Sequence, residues 1–350
     1  MKKFYAVIGN PPYNDEAPGA STSDKPIYHF FFDESNKISD KVELITPAKF
    51  LFNAGGTPKK WNEKMLNSEH LRVLLYKSDA KDIFPTTTFT GGVAVSYMDK
   101  TKQFTPIQAY TPYPELNSIK EKVLAHSGFS SMSEIVSGRT PYSFTDEMHN
   151  DYPDAEGKLS DGHKYDVSSN SFEAVPEIYC FEDPCDERYV RVLGRKDNKR
   201  AYAWIKRQYV KGRQDEFIGT WKVFLPKANG ASGMLGDEPA RLISKPEIGE
   251  PNDIATDTFL CVGSFNSEYE ADAAMKYLNS KFARVLLGIL KVTQLNAKDT
   301  WTYVPIQDFT RNSDIDWTLS SNEIDNQLNK KYGLSNSEVE FIDNHVKEMT

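Results

Sequence analysis

Phe4-Tyr5-Ala6-Val7-Ile8-Gly9-Asn10-Pro11-Pro12-Tyr13 is the stretch whose reading decides the fold. Six apolar or small residues in a row have the composition of a strand buried in a parallel sheet, and the two prolines stop it. A strand that runs straight into a stiff loop sets that loop at the carboxyl end of a sheet, where α/β proteins carry their sites. Outward from it, Asn14 to Asp24 is polar or small and predicts a loop, and Ile27 to Ile38 has helical apolar spacing. Val42-Glu43-Leu44-Ile45 predicts a second strand, stopped by Thr46-Pro47; a helix at Trp61–Leu66 and strands at Leu71–Tyr76 and Val93–Met98 follow. This β-α-β-α-β…β rhythm predicts an α/β domain over residues 1–105.

After Thr105 the rhythm changes. Residues 106–265 give short strand-like pieces and many turns. A long helix is then predicted, started by Ser267 with Glu270 and carried by Ala271, Ala274, Leu278, Phe282, Val285 and Ile289. Ser320 with Glu323 and Ser335 with Glu338 start two more, and Gly333 stands where a helix would end. Residues 106–350 are thus expected to form a larger, mixed α+β domain.

The 350 residues are 39% hydrophobic and 12% aromatic, enough for a folded core and too much for wholesale disorder. No apolar run approaches the ~18 residues of a membrane helix. Three cysteines (Cys180, Cys185, Cys261) cannot build a disulfide framework, so the expected address is the reducing cytoplasm. Neither they nor the six scattered histidines have metal-ligand spacing, and no metal is expected. The net charge of −8 hides a sharp asymmetry. Residues 146–187 carry 13 acids against Lys158 and Lys164, whereas 188–213 carry ten Lys/Arg against Asp197 alone. The local patch, rather than the average, is what a partner meets.

The chemistry lies in Asn10-Pro11-Pro12-Tyr13. An exocyclic amine of adenine is a weak nucleophile because its lone pair is delocalised into the ring. Two acceptors, one per N–H, localise the lone pair and take up the charge that develops as a methyl group arrives. The Asn10 side-chain oxygen and the Pro11 carbonyl would supply the pair, with both prolines stiffening the loop. Tyr13 would offer an aromatic face to a base pulled out of its stack. The plain alternative is a proline turn closing a strand, with Tyr13 merely packed.

On these residues the chain resembles the adenine-N6 DNA methyltransferases of restriction–modification systems, type IIG-like, over residues 4–105 and again over about 200–350. The resemblance implies amine-binding and base-stacking roles for Asn10, Pro11, Pro12 and Tyr13. Ile83-Phe84-Pro85 is similar to the segment whose phenylalanine flanks the flipped adenine, which implies that role for Phe84. Leu44–Ala48 looks like the next strand and loop of the family's Rossmann-like methyltransferase sheet. Trp221–Phe224, Lys281–Arg284 and Val304–Phe309 look like its target-recognition domain. It also implies S-adenosyl-L-methionine as cofactor, and here the chain departs from the pattern. The family's donor-binding glycine turn precedes the catalytic loop, yet nine residues precede Asn10. Leu260–Gly263 and Gly230–Gly236 are poor substitutes. The expectation is therefore the catalytic half of the sheet, with Phe4–Ile8 as an exposed apolar edge. A partner chain, an upstream domain or self-association would cover it.

Residues 188–213 read RYVRVLGRKDNKRAYAWIKRQYVKGR and predict a hairpin with one basic face. Arg191, Arg195, Lys196, Lys199, Arg200, Trp204, Lys206, Arg207, Lys211 and Arg213 are the candidate contacts to double-stranded DNA. The alternative is a solvated face that pairs with the acidic block before it. Glu156-Gly157-Lys158 resembles part of a nuclease site, but no partner aspartate on a strand accompanies it. The expected function is site-specific adenine-N6 methylation of DNA. Its rivals are a non-catalytic recognition subunit and a methylase of RNA or of a protein amide.

Overall fold

The computed structural model describes residues 4–15, 25–52, 56–85, 92–160, 162–212, 216–229, 235–236, 238–291 and 295–349. The chain divides into two compact units, Met1–Asn117 and Ser118–Thr350.

In the first unit, strand β1 (Val7–Gly9) leads into the proline loop. Strands β2 (Asn14–Asp15) and β3 (Lys25–Pro26) form a small antiparallel ribbon. Helix α1 (Tyr28–Ile38), β4 (Lys41–Pro47), α2 (Lys59–Leu66), β5 (Leu71–Lys77) and β6 (Val93–Asp99) follow. The main sheet has the order β1-β4-β6-β5. β1 and β4 are parallel, and β6 runs antiparallel to both β4 and β5. The result is a mixed sheet, which the apolar runs alone could not specify.

Alternation along the strands sorts the two faces. Val42, Leu44, Ala94, Met98 and Leu71 point to one face and are buried against Tyr28 and Phe32 of α1 and Trp61, Met65 and Leu66 of α2. Burying such side chains contributes roughly 1.5–3 kcal/mol each. The other face carries Ile8, Ile45, Val95 and Leu75, with Ile8 76% and Leu75 42% exposed. Both helices therefore cover the same face. β1 is parallel as expected but is not buried. Among the described residues it pairs with β4 alone, so Phe4, Tyr5 and Ile8 stand in solvent.

Helix α3 (Pro114–Ala125) contains the division between the units. The second unit then gives β7 (Tyr142–Phe144), α4 (Asp146–Asp151), α5 (Ser171–Ala174), β8 (Tyr189–Lys196), β9 (Lys199–Lys206), β10 (Val210–Gly212) and α6 (Glu216–Gly219). After these come β11 (Trp221–Pro226), β12 (Glu247–Gly249), β13 (Asp253–Ala255), β14 (Phe259–Phe265), α7 (Glu268–Asn279), α8 (Lys281–Leu287), α9 (Ser321–Lys331) and α10 (Asn336–His345). Two three-stranded sheets, β12-β11-β14 and β13-β8-β9, and the pair β10-β7 carry its strands.

The single long helix expected after Ser267 is two. Ser280 is extended, at φ −63° and ψ 146°, and its hydroxyl accepts from the Ala283 N–H to cap α8. The buried Asp325 carboxylate of α9 accepts from the Lys281 and Phe282 N–H groups at 3.1 and 3.0 Å. A capping acid 43 residues from Phe282 overrides an unbroken apolar stripe. The other two starts form complete capping boxes, Ser320 with Glu323 and Ser335 with Glu338. Gly333 takes φ +62° just past α9, and the Leu334 N–H closes back on the Asn329 carbonyl.

Candidate functional site

Strand direction assembles one end of the first sheet. β1, β4 and β5 run the same way, so Asn10, Ala48 and Ser78 leave at one edge, and β6 enters there at Val93. Asn10–Tyr13 and Phe84 therefore lie at the same end of the sheet, brought there by the topology. Asn10 is exposed, and among the described residues its side-chain amide has no hydrogen-bond partner. The loop around it is fixed at both ends. β1 holds its start, and at its far end the Ile27 N–H donates to the Tyr13 carbonyl at 2.9 Å beside the β2–β3 ribbon. Pro11 and Tyr13 are half-buried and Pro12 is exposed. Burial pushes the Tyr13 phenol pKa up, so the ring stays neutral as a stacking surface.

Phe84 is half-buried and its N–H donates to the Ala80 carbonyl at 2.8 Å. The turn before it is capped by Asp79, whose carboxylate accepts from the Lys81 N–H. The same end of the sheet holds a group the sequence did not single out. Phe52, Tyr76 and Tyr110 meet edge-to-face with ring centroids 5.6–5.9 Å apart. Burial lifts the Tyr110 phenol to about 12. Three isolated aromatics spread over 59 residues carry no local signal that they meet. Gly92, at φ +73°, lets β6 enter here, since a Cβ would collide with the Lys77 carbonyl and the Tyr76 ring.

Of the two segments considered for a methyl donor, the one that is fully described, Leu260–Gly263, does not fit one. Gly263 lies inside β14, and the place of its Cβ is filled by the Phe265 ring, so no ligand can approach that backbone. Residues 230–234 of the other segment lie outside the described residues. Among the described residues no group of His, Cys, Asp and Glu could hold a metal ion, and no helix is long and apolar enough to cross a membrane.

In the second unit, residues 189–206 form the expected hairpin. Asp197 and Asn198 both take left-handed φ (51° and 60°) in its two-residue turn. One of its faces is a ladder of Tyr189 opposite Lys206, Arg191 opposite Trp204, the buried Leu193 opposite Tyr202, and Arg195 opposite Arg200. Several of its cations are already engaged. Arg191 makes a two-pronged ion pair with Asp253 (2.9 and 2.6 Å) and stacks its guanidinium 4.8 Å from the Tyr202 ring centre. Arg200 binds Glu247 at 3.0 Å and the Lys245 carbonyl. The Arg207 guanidinium donates to the Val210 carbonyl. Lys206 donates to the Tyr209 hydroxyl, which in turn donates to Asp151 at 2.5 Å.

The remaining candidates are less engaged. Lys196 lies 3.9 Å over the Phe181 ring, and the Arg195 guanidinium donates to the Asn198 carbonyl. Among the described residues, Arg195, Lys196, Lys199 and Lys211 have no carboxylate at ion-pair distance; Arg213 lies outside them. The acidic block reaches this segment by one ion pair among the described residues, Asp186 to Arg188, which holds the Asp186 carboxyl at about 2. The expected single basic face is therefore corrected. The ladder face is partly neutralised by acids from β12 and β13, and free charge collects at the tip.

Residues 1–84 match the family described as Eco57I restriction-modification methylase, a segment that includes both Asn10–Tyr13 and Phe84. A search of curated proteins gave no match. Among solved structures, the type IIL restriction-modification enzyme MmeI in complex with DNA aligns at 12% identity and TM-score 0.33, over 97% of this chain and 56% of that one. The type IIG restriction endonuclease BpuSI aligns at 12% identity and TM-score 0.30, over 87% of this chain and 44% of that one. The chain thus spans about half the length of these two structures.

Proposed function

We propose that this chain holds the target amine and contacts the duplex in a site-specific DNA adenine-N6 methyltransferase of a restriction–modification system. The observation that carries the reading is the exposed Asn10 amide, without a hydrogen-bond partner among the described residues, in a proline-stiffened loop at the carboxyl end of β1 and within the segment that matches the methylase family. Asn10 Oδ1 and the Pro11 carbonyl accept the two N–H groups of a flipped adenine, and Tyr13 and Phe84 flank the ring. No side-chain base is needed, because the amine proton leaves after nitrogen has gained the methyl group.

The methyl donor of this reaction class is S-adenosyl-L-methionine, and we assign no residue of this chain to it. A further polypeptide segment, on this protein or on a partner, supplies the donor cradle along the free edge of β1. Three observations support this: the single neighbour of β1 among the described residues, the partly exposed face bearing Ile8, Ile45, Val95 and Leu75, and the Gly263 position closed by Phe265. By itself the chain then acts as a DNA-recognition subunit.

The test is genetic and direct. Deleting the gene from its native host should erase N6-methyladenine from one sequence motif. The wild-type gene should restore the mark and Asn10→Ala should not. Unchanged methylation after deletion would overturn the reading.

A further inference from the structure

We propose that the tip of the β8–β9 hairpin enters the major groove of duplex DNA. Asp197 and Asn198 lead, and Arg195, Lys196 and Lys199 reach the phosphates on either side. Only the choice of polyanion rests on the methyltransferase reading; the geometry stands on its own.

The first argument is the division of charge along the ribbon. Toward its base, Arg191 is committed to Asp253, Lys206 to a phenol and Arg207 to a backbone carbonyl. Near the tip Arg200 is committed to Glu247. At the tip, Arg195, Lys196 and Lys199 are all exposed and have no carboxylate at ion-pair distance among the described residues. A cation already paired inside the protein releases few counterions from DNA, because forming a phosphate contact means giving up a carboxylate. A free one contributes in full.

The second argument is direction. In the antiparallel register Arg195 lies opposite Arg200 and Lys196 opposite Lys199, so successive pairs project from opposite faces of the ribbon. A ribbon laid on one backbone would use one face. Cations on both faces suit an end flanked by phosphates on two sides, as in a groove. The two-residue turn keeps that end narrow, and the B-form major groove, about 12 Å wide, admits a two-stranded ribbon. The groove of A-form RNA is too deep and narrow for it. At the leading point Asp197 and Asn198 are exposed. An amide can pair with adenine N6 and N7, and a carboxylate can accept from cytosine N4. A carboxylate at the tip would be repelled by phosphate but is useful against a base edge.

Fluorescence anisotropy with the purified chain and labelled duplex DNA over a salt series tests this. The triple substitution Arg195→Ala, Lys196→Ala, Lys199→Ala should reduce the slope of log K against log salt by roughly 2.5–3, about 0.9 per phosphate contact. Glucosylated 5-hydroxymethylcytosine, which fills the major groove, should weaken binding by the wild-type chain and flatten its salt slope. The minor-groove ligand netropsin should not compete. The groove probes use the wild-type chain, so the test survives if the triple variant misfolds. An unchanged slope in a folded triple variant, displacement by netropsin, or equal binding of duplex RNA would each overturn the inference and leave the methylation test standing. No DNA binding at all by the folded wild-type chain would sink both.

Discussion

β1 and the β8–β9 hairpin are both strand structures that present polar residues at an end, yet their surroundings are opposite. The hairpin is embedded: β13 pairs along one side, a bridge from Cys180 to Trp204 touches the other, and Val190, Val192, Ala203 and Ile205 are buried beneath it. Arg191 and Arg200 are paired with carboxylates, whereas Arg195, Lys196 and Lys199 at the tip have none among the described residues. Among the described residues β1 has one neighbour, and its Ile8 is mostly in solvent. The hairpin thus packs on both sides within its unit, whereas β1 leaves Ile8 exposed at the end of its sheet order. An exposed charge needs no protein partner to be stable in water, but an exposed apolar edge beside unpaired backbone does.

The sharpest break in this comparison is chemical. Asn10→Ala should lower adenine methylation by at least about a hundredfold, the order lost when one preorganised group at a developing charge is removed. Because Asn10 is exposed, the unfolding midpoint of the variant should stay that of wild type; a large drop in midpoint would mean the loop is structural.

Next in size is Gly194→Ala in the hairpin. Its Cβ would lie 2.7 Å from the Phe172 ring and 2.9 Å from Thr256 Cγ2, so overpacking should cost about 1–3 kcal/mol in denaturant unfolding. Arg191→Ala leaves Asp253 without its ion-pair partner and should also cost about 1–3 kcal/mol, with little change in the salt slope of DNA binding. If instead it flattens the slope without loss of stability, Arg191 is a DNA contact and the contrast between base and tip fails. Asp325→Ala should cost about 1 kcal/mol by uncapping α8, seen as a lower melting temperature. The smallest effect is expected at Ile8→Lys, within about 0.5 kcal/mol of wild type in unfolding. A marked destabilisation would show that this edge is covered after all.

Local chemistry made much of the first unit legible. The apolar run at Val7–Gly9, the helical spacing after Ile27 and the breaks at Thr46-Pro47 are written in consecutive residues, and so are the capping boxes at Ser320 and Ser335. The Asn10–Tyr13 loop could be singled out from the sequence because the chemistry proposed for it needs only four adjacent residues. The Phe52–Tyr76–Tyr110 cluster was not, since ring contacts between distant positions leave no periodic trace.

By itself, then, the sequence determined where many of the strands and helices start, among them the capped starts of α9 and α10, and that a basic hairpin lies at 189–206; it also singled out one loop as a candidate amine site. These follow from propensity, spacing and side-chain type, all short-range properties of the chain. The exposed apolar edge expected at Phe4–Ile8 is found, but only the tertiary structure decided the mixed order β1-β4-β6-β5, because pairing is set by neighbours and not by a strand's own residues. It also decided that α7 and α8 are separate, through Asp325, and that Asp253 and Glu247 take Arg191 and Arg200 out of play while the tip cations remain. Charge in a sequence is a count; in a fold it is a count after pairing, and pairing joins residues that only the fold brings together.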